Sequence, residues 1–257
     1  MESLRVFLGL IFLEEDMEGH QSFFIRVKHI ARALGAVLFP LFCLGCGQEG
    51  RLVCETCLLT LESRPVFLCP VCHRHGVRGQ CCSLCASQSF LSSVCALFPY
   101  DEKDLGSAIL RFAKYHSAQS LFSVFEPMIH HFSAHNAWFL SEIDCLMPVP
   151  LHAKRLRERG FNQSVSLATI LSFSTRIPLV LGLKRTRNTP HQALLSRAKR
   201  KENIREAFCV VEPALVSGKN IIVIDDIYTT GSTMQECAKV LKKTGAREVR
   251  GFTIARG

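Results

Sequence analysis

Residues 221–233 read Ile221-Ile222-Val223-Ile224-Asp225-Asp226-Ile227-Tyr228-Thr229-Thr230-Gly231-Ser232-Thr233. Four β-branched residues in a row make a short apolar run suited to a buried central strand. The run ends in two carboxylates and a hydroxyl-rich turn, which opens a helix expected from about Thr233 to Lys243. Backbone N–H groups at that helix start, with the Thr229, Thr230, Ser232 and Thr233 hydroxyls, can surround a phosphate, and Gly231 lets the main chain approach closely. The adjacent acids can accept hydrogen bonds from sugar hydroxyls or bind through Mg²⁺. These jobs fit a sugar 5-phosphate. A plain helix cap at a strand end uses the same Ser and Thr residues and is the competing reading. No lysine follows the glycine, so a nucleoside triphosphate P-loop is the wrong match.

Working outward, a turn at Gly245 leads to an expected strand over Val249–Ile254, and Ile143–Val149 reads as a short strand entering a turn at Pro148 and Pro150. A helix is expected from about Asn162 to Leu171, a strand over Ile177–Leu181, and a basic helix or lid over Arg197–Arg205. Leu105–Phe125 has apolar positions at helical spacing. Strand, turn, helix and strand in that order point to an α/β sheet.

The front of the chain is different. Ten of the 13 cysteines lie between Cys43 and Cys95. Eight form the pairs Cys43/Cys46, Cys54/Cys57, Cys69/Cys72 and Cys82/Cys85, each with two residues between the thiols. That gap lets both thiolates of a pair reach one ion, and two pairs complete the tetrahedron of a structural zinc site. Sequential pairing and an interleaved arrangement are both compatible with the spacing. Such a metal replaces a hydrophobic core that a small segment cannot build. Four thiolates leave no open position for a hydrolytic water, and redox chemistry by one CxxC lacks a thioredoxin-like βαβ context.

Val6–Leu13 has the length of a signal-peptide core, but Glu14, Glu15 and Asp16 follow it without a small-residue cleavage site, so export is not expected. Met17 is an alternative start. The uncharged stretch from Ala33 to Gln48 is broken by Pro40 and falls short of a membrane span. Reduced thiols and a cytoplasmic location are the expectation.

The 31 Lys plus Arg exceed the 22 Asp plus Glu by nine, which favours anionic partners. The excess is local. From Leu151 to Arg205, thirteen basic residues less two acidic ones leave +11. That exceeds what one pyrophosphate needs and suggests a wider anionic surface such as single-stranded DNA, with Arg157, Arg159, Arg197, Lys199, Arg200 and Lys201 as candidate contacts. Phe161, Phe173 and Phe208 could stack on bases only if exposed.

Residues 221–233 closely resemble the phosphoribosyl pyrophosphate signature of type I phosphoribosyltransferases, and the chain as a whole resembles the competence protein F family. The agreement extends to the cysteine pairs, to Arg111-Phe-Ala-Lys114-Tyr115, to Pro148–Gln163 with its Arg159-Gly160-Phe161-Asn162-Gln163, and to Gln192–Asn203. The resemblance implies a type I phosphoribosyltransferase-like parallel sheet flanked by helices, preceded by a small cysteine-rich zinc-binding module. The organisation it implies is an extension over residues 1–37, a double zinc module over 38–90 and the phosphoribosyltransferase-like domain over 91–257. Asp225 and Asp226 would then address the ribose hydroxyls directly or through Mg²⁺, Thr229–Thr233 would hold the 5-phosphate, and Lys154 and Arg155 would meet the leaving pyrophosphate. The implied partners are phosphoribosyl pyrophosphate, single-stranded DNA and a competence helicase or other DNA-processing proteins. The alternative is a metabolic phosphoribosyltransferase acting on a base or amine.

Overall fold

The computed structural model describes residues 40–189 and 202–257. The chain divides into two compact units, Met1–Cys57 and Leu58–Gly257. In the first, the described residues form turns closed by a bridge between Phe42 and Glu49, and the short helix Glu55–Leu59 begins there.

The second unit carries, in chain order, β1 (Val66–Leu68), β2 (Ser93–Pro99), α1 (Leu105–Tyr115), α2 (Glu126–His135), β3 (Cys145–Pro148), α3 (Ala153–Arg159), α4 (Gln163–Thr175), β4 (Leu183–Arg185), β5 (Phe208–Val210), β6 (Asn220–Tyr228), α5 (Ser232–Lys243) and β7 (Glu248–Arg256). The main sheet has the order β1-β2-β7-β6-β3, with β1 antiparallel to β2 and every other neighbour parallel. β4 and β5 form a separate antiparallel pair.

The apolar run of β6 explains its central place. Ile221, Ile222, Val223 and Ile224 are fully buried between β7 and β3, each worth about 1.5–3 kcal/mol of apolar burial. α5 covers β6 and β7 with Met234, Cys237, Ala238 and Leu241, the spacing of one helical face. α4 lies on β3 and β6. The carboxyl ends of β3, β6 and β7 therefore open to the same side, the usual place for a ligand in a parallel sheet.

Two sequence expectations change. Ile177–Leu181 makes a single bridge, Leu146 to Leu179, because Leu181 faces solvent; the strand forms at β4, where Leu183 and Arg185 turn inward. The helical segment beginning at Leu105 stops at Tyr115: Ser117 adopts φ 51, and Gln119–Phe125 continues as a 3₁₀ turn. The compact units divide before Leu58, and β1 joins the main sheet just ahead of Cys69.

Candidate functional site

A cavity of about 500 Å³ opens at the carboxyl ends of β3 and β6, a size suited to a small phosphorylated ligand. Its acidic wall is Asp225 and Asp226, at the end of β6. Asp225 Oδ1 accepts from Ser164 Oγ at 3.0 Å and from the Asp226 N–H at 3.0 Å, while Asp226 Oδ1 accepts from the Ile227 N–H at 2.8 Å. Burial and then the neighbouring Asp226 charge push the Asp225 carboxyl up to about 7, against the pull of these donors and of Lys114.

The second wall is the turn from Thr229 to Thr233 at the start of α5. Gly231 has φ +74, and a Cβ there would overlap the Tyr228 phenol, so glycine alone fits. The Thr230 and Ser232 hydroxyls lie 2.8 Å apart and line the helix start, whose N–H groups carry partial positive charge.

The third wall is basic. Arg155 Nη2 donates to the Thr189 carbonyl at 2.7 Å, and Arg185 Nη2 donates to the Thr189 hydroxyl, so one residue orients two guanidiniums. Arg185 is only 7% exposed, lies over the Phe208 ring, and its Nε has no hydrogen-bond partner among the described residues. Burial and then the charge of Arg155 lower its pKa. A buried, incompletely satisfied cation lining a cavity is suited to a small anion.

Local chemistry explains how these residues converge. α3 ends at Gly160, φ +78, and Phe161 drops into the core edge-on to Phe122. Asn162 then caps α4: its Oδ1 accepts from the Ser164 N–H at 3.0 Å and its Nδ2 donates to the Val149 carbonyl at 2.9 Å. This junction aims Arg159, Gln163 and Ser164 into the cavity, with Arg159 Nη1 donating to Gln163 Oε1 at 3.0 Å.

Of the residues singled out in the sequence, Asp225, Asp226, Thr229, Thr230, Gly231, Ser232, Thr233 and Arg155 line one cavity. Lys154 and Arg157 are exposed and lie outside its lining, whereas Arg159 lines it instead of facing an open surface. Arg197, Lys199, Arg200 and Lys201 lie outside the described residues. Phe161 and Phe208 are core side chains, and Phe173 is exposed. Sequence reasoning missed Arg185, and Lys114 was noticed only inside a matching stretch; they come from β4 and α1, far from the signature in sequence.

The thiols gather in two groups, Cys43/Cys46/Cys54/Cys57 and Cys69/Cys72/Cys82/Cys85, each with all sulfurs within 4.8 Å of one another. Pairing is therefore sequential. Sulfur separations of 3.6 Å for Cys46–Cys54, 3.8 Å for Cys69–Cys82 and 3.9 Å for Cys72–Cys82 match the ~3.8 Å edge of a tetrahedron with ~2.3 Å metal–sulfur bonds. In each group one thiol ionises easily and another resists. Burial opposes ionisation of Cys43 and Cys69, but surrounding backbone N–H groups outweigh it and bring both to about 6. Hydrogen bonding to Cys54 and to Cys82, followed by burial, pushes Cys57 and Cys85 up to about 12. Four thiolates in such a space call for a cation, and both groups could hold a structural metal such as zinc. No helix among the described residues is long and apolar enough to cross a membrane.

Residues 159–257 match the family model of the phosphoribosyl transferase domain. The chain is 35% identical over 115 residues to competence protein F of Haemophilus influenzae, covering 44% of this chain and 50% of that protein. It is 38% identical over 114 residues to the DNA utilization protein YhgH of Escherichia coli K12, covering 44% and 49%. Alignment with competence protein ComFC of Bacillus subtilis runs further, with 28% identity over 213 residues, 79% of this chain and 84% of that protein. The chain thus spans about half the length of the first two relatives. With the parallel sheet, the β6–α5 turn and the domain match, the chain is similar to competence protein F and its relatives and carries a phosphoribosyl transferase domain over residues 159–257.

Proposed function

We propose that this chain binds phosphoribosyl pyrophosphate with Mg²⁺ in the β6–α5 cavity and acts, together with single-stranded DNA, in DNA uptake. The observation that carries the first half is the meeting of three chemistries on one 500 Å³ cavity: a carboxylate pair, a hydroxyl-lined helix start and oriented arginines. Asp225 and Asp226 take the ribose hydroxyls and would hold Mg²⁺, which supplies charge neutralisation to the ligand's phosphates when bound. Residues 229–233 take the 5-phosphate. Arg155 and Arg185 then face the pyrophosphate end, where cationic donors stabilise departing charge. The names of the relatives support the role in DNA uptake. On that reading Arg157, Arg197, Lys199, Arg200 and Lys201 would contact the strand, Arg159 serves the cavity, a competence helicase or other DNA-processing protein is the partner, and a cytoplasmic location is consistent with reduced thiols.

A metabolic transfer of the phosphoribosyl group to a base or amine is the second reading, favoured by the burial of Arg185. A guanidinium 7% exposed serves a small anion rather than a polynucleotide. No nucleophilic side chain is needed, since alignment of acceptor and leaving group at the sugar carbon does most of the work.

Titration of the zinc-loaded protein tests both readings. Phosphoribosyl pyrophosphate with Mg²⁺ is expected to bind, with loss of affinity in the double variant Asp225→Ala/Asp226→Ala. Single-stranded DNA is expected to bind with a steep inverse dependence on salt that flattens when Lys199, Arg200 and Lys201 are neutralised. Absence of phosphoribosyl pyrophosphate binding overturns the cavity assignment; salt-insensitive DNA binding overturns the surface. Pyrophosphate release with an added base or amine would instead establish the metabolic reading.

Metal analysis of the same protein is expected to give two zincs per chain, and Co²⁺ substitution to give thiolate charge-transfer bands. One metal per chain would leave one cysteine group without the proposed role.

A further inference from the structure

We propose that the turn between Cys69 and Cys72 positions the phosphate loop. Metal occupancy of the Cys69/Cys72/Cys82/Cys85 group is then coupled to phosphate affinity at residues 229–232 through Tyr228 and the Pro70 carbonyl. The inference rests on the phosphate-loop reading above and adds its regulation by the metal.

One carbonyl holds both shoulders of the loop. Tyr228, the last residue of β6 and 1% exposed, donates its phenol O–H to the Pro70 carbonyl at 2.8 Å. Gln235, in the first turn of α5, donates Nε2 to the same carbonyl at 3.4 Å, while its backbone N–H bonds the Gly231 carbonyl at 2.9 Å. The Tyr228 phenol lies against Gly231, so its position sets the floor of the loop. Gln235 also reaches the segment after Cys85: Nε2 donates to Ser89 Oγ at 2.8 Å, and Oε1 accepts from the Phe90 N–H at 3.0 Å.

A second strap runs parallel to the first. Arg256 Nη2 donates to His73 Nδ1 at 3.0 Å and Arg256 Nη1 donates to the Tyr228 carbonyl at 3.2 Å, with the His73 ring edge-on to Tyr228. Pro70 and His73 flank or sit between ligands of one CxxC pair, so a bound metal fixes the direction of their acceptor atoms. Without the metal, the Pro70 carbonyl loses its anchor on both sides. The buried phenol must then follow the turn or lose its partner, and either displaces the floor beneath Gly231. Coupling of this kind is reciprocal: a ligand that orders the loop must also hold the metal more tightly.

The test uses the full zinc-loaded chain, phosphoribosyl pyrophosphate with Mg²⁺, inorganic phosphate, and release of zinc to a chromogenic chelator. The variant Tyr228→Phe removes one hydroxyl and keeps the ring. It is expected to retain its zinc and to bind both ligands about fivefold to tenfold more weakly, the effect of one buried hydrogen bond. In the wild type, saturating ligand is expected to strengthen zinc binding at one of the two sites by a similar factor in equilibrium competition with the chelator, and in Tyr228→Phe that gain shrinks to what the Gln235 and Arg256 contacts still carry. Wild-type affinity in Tyr228→Phe, or ligand-independent zinc affinity in the wild type, overturns the coupling while leaving the phosphate site intact. If the wild type binds neither ligand, the phosphate-loop reading fails and the coupling with it.

Discussion

Replacing Gly231 by alanine is expected to weaken phosphoribosyl pyrophosphate binding by about 100-fold or more, for two separable reasons. The backbone at Gly231 has φ +74, where a Cβ costs about 1–2 kcal/mol. In addition, the new methyl would overlap the Tyr228 phenol, which is buried and cannot swing away without breaking its bond to Pro70. The strain alone does not abolish binding. Gly218→Ala separates the terms: φ there is +72, yet nothing lies within 4 Å of the added Cβ. Gly218→Ala is therefore expected to lower stability by a similar 1–2 kcal/mol in denaturant unfolding and to leave ligand affinity unchanged. Equal loss of affinity in the two variants would mean that the turn does not sit against the ligand.

The contrast between these glycines marks what could be read from sequence. β6 and α5 were legible because a single short stretch holds both the apolar run and the turn chemistry, and the observed strand extends past the expected Ile224 to Tyr228. The cysteine groups were legible for the same reason, although their sequential pairing needed coordinates. β2 was not foreseen. Its Ser93-Val-Cys-Ala-Leu-Phe-Pro99 follows the cysteine-rich segment directly and carries a cysteine and a proline of its own, so composition masks a strand that is buried over Ser93–Phe98. The basic wall was the least legible part. Lys114, Arg155 and Arg185 come from α1, α3 and β4, and no spacing rule links three elements that meet only when β3 and β6 pair. Charge counting points to Leu151–Arg205 as a whole and cannot divide its arginines. The fold instead sorts them: Arg155, Arg159 and Arg185 enter the cavity, and Arg157, on the same helix as Arg155, stays outside.

Asp225→Asn should separate stability from ligand binding most sharply. The carboxyl has an ordinary pKa of 3.8 in the unfolded chain and about 7 in the folded one. Below 3.8 it is protonated in both states and contributes no difference. As pH rises from about 4 to about 7, the unfolded chain releases this proton while the folded chain keeps it, so the ligand-free protein loses stability across that window; above 7 the penalty stays constant. Three pH units correspond to about 4 kcal/mol at 1.36 kcal/mol per unit, and relaxation of the surroundings of this partly buried side chain reduces this to about 2 kcal/mol. Asparagine keeps an oxygen for Ser164 Oγ and the Asp226 N–H without the charge. The variant is therefore expected to unfold about 2 kcal/mol less readily than wild type at pH 8 and equally at pH 4. Binding moves the opposite way. A ligand that needs the carboxylate binds wild type more weakly as pH falls below 7, by up to about tenfold per unit, and binds the variant at least ~100-fold more weakly at pH 8 with a flat pH profile. Calorimetry in buffers of different ionisation enthalpy would show the proton released on binding to wild type near pH 7 and its absence in the variant. Higher stability with unchanged affinity would remove Asp225 from the ligand site; unchanged stability with lost affinity would mean that the carboxyl is already ionised in the folded protein at neutral pH.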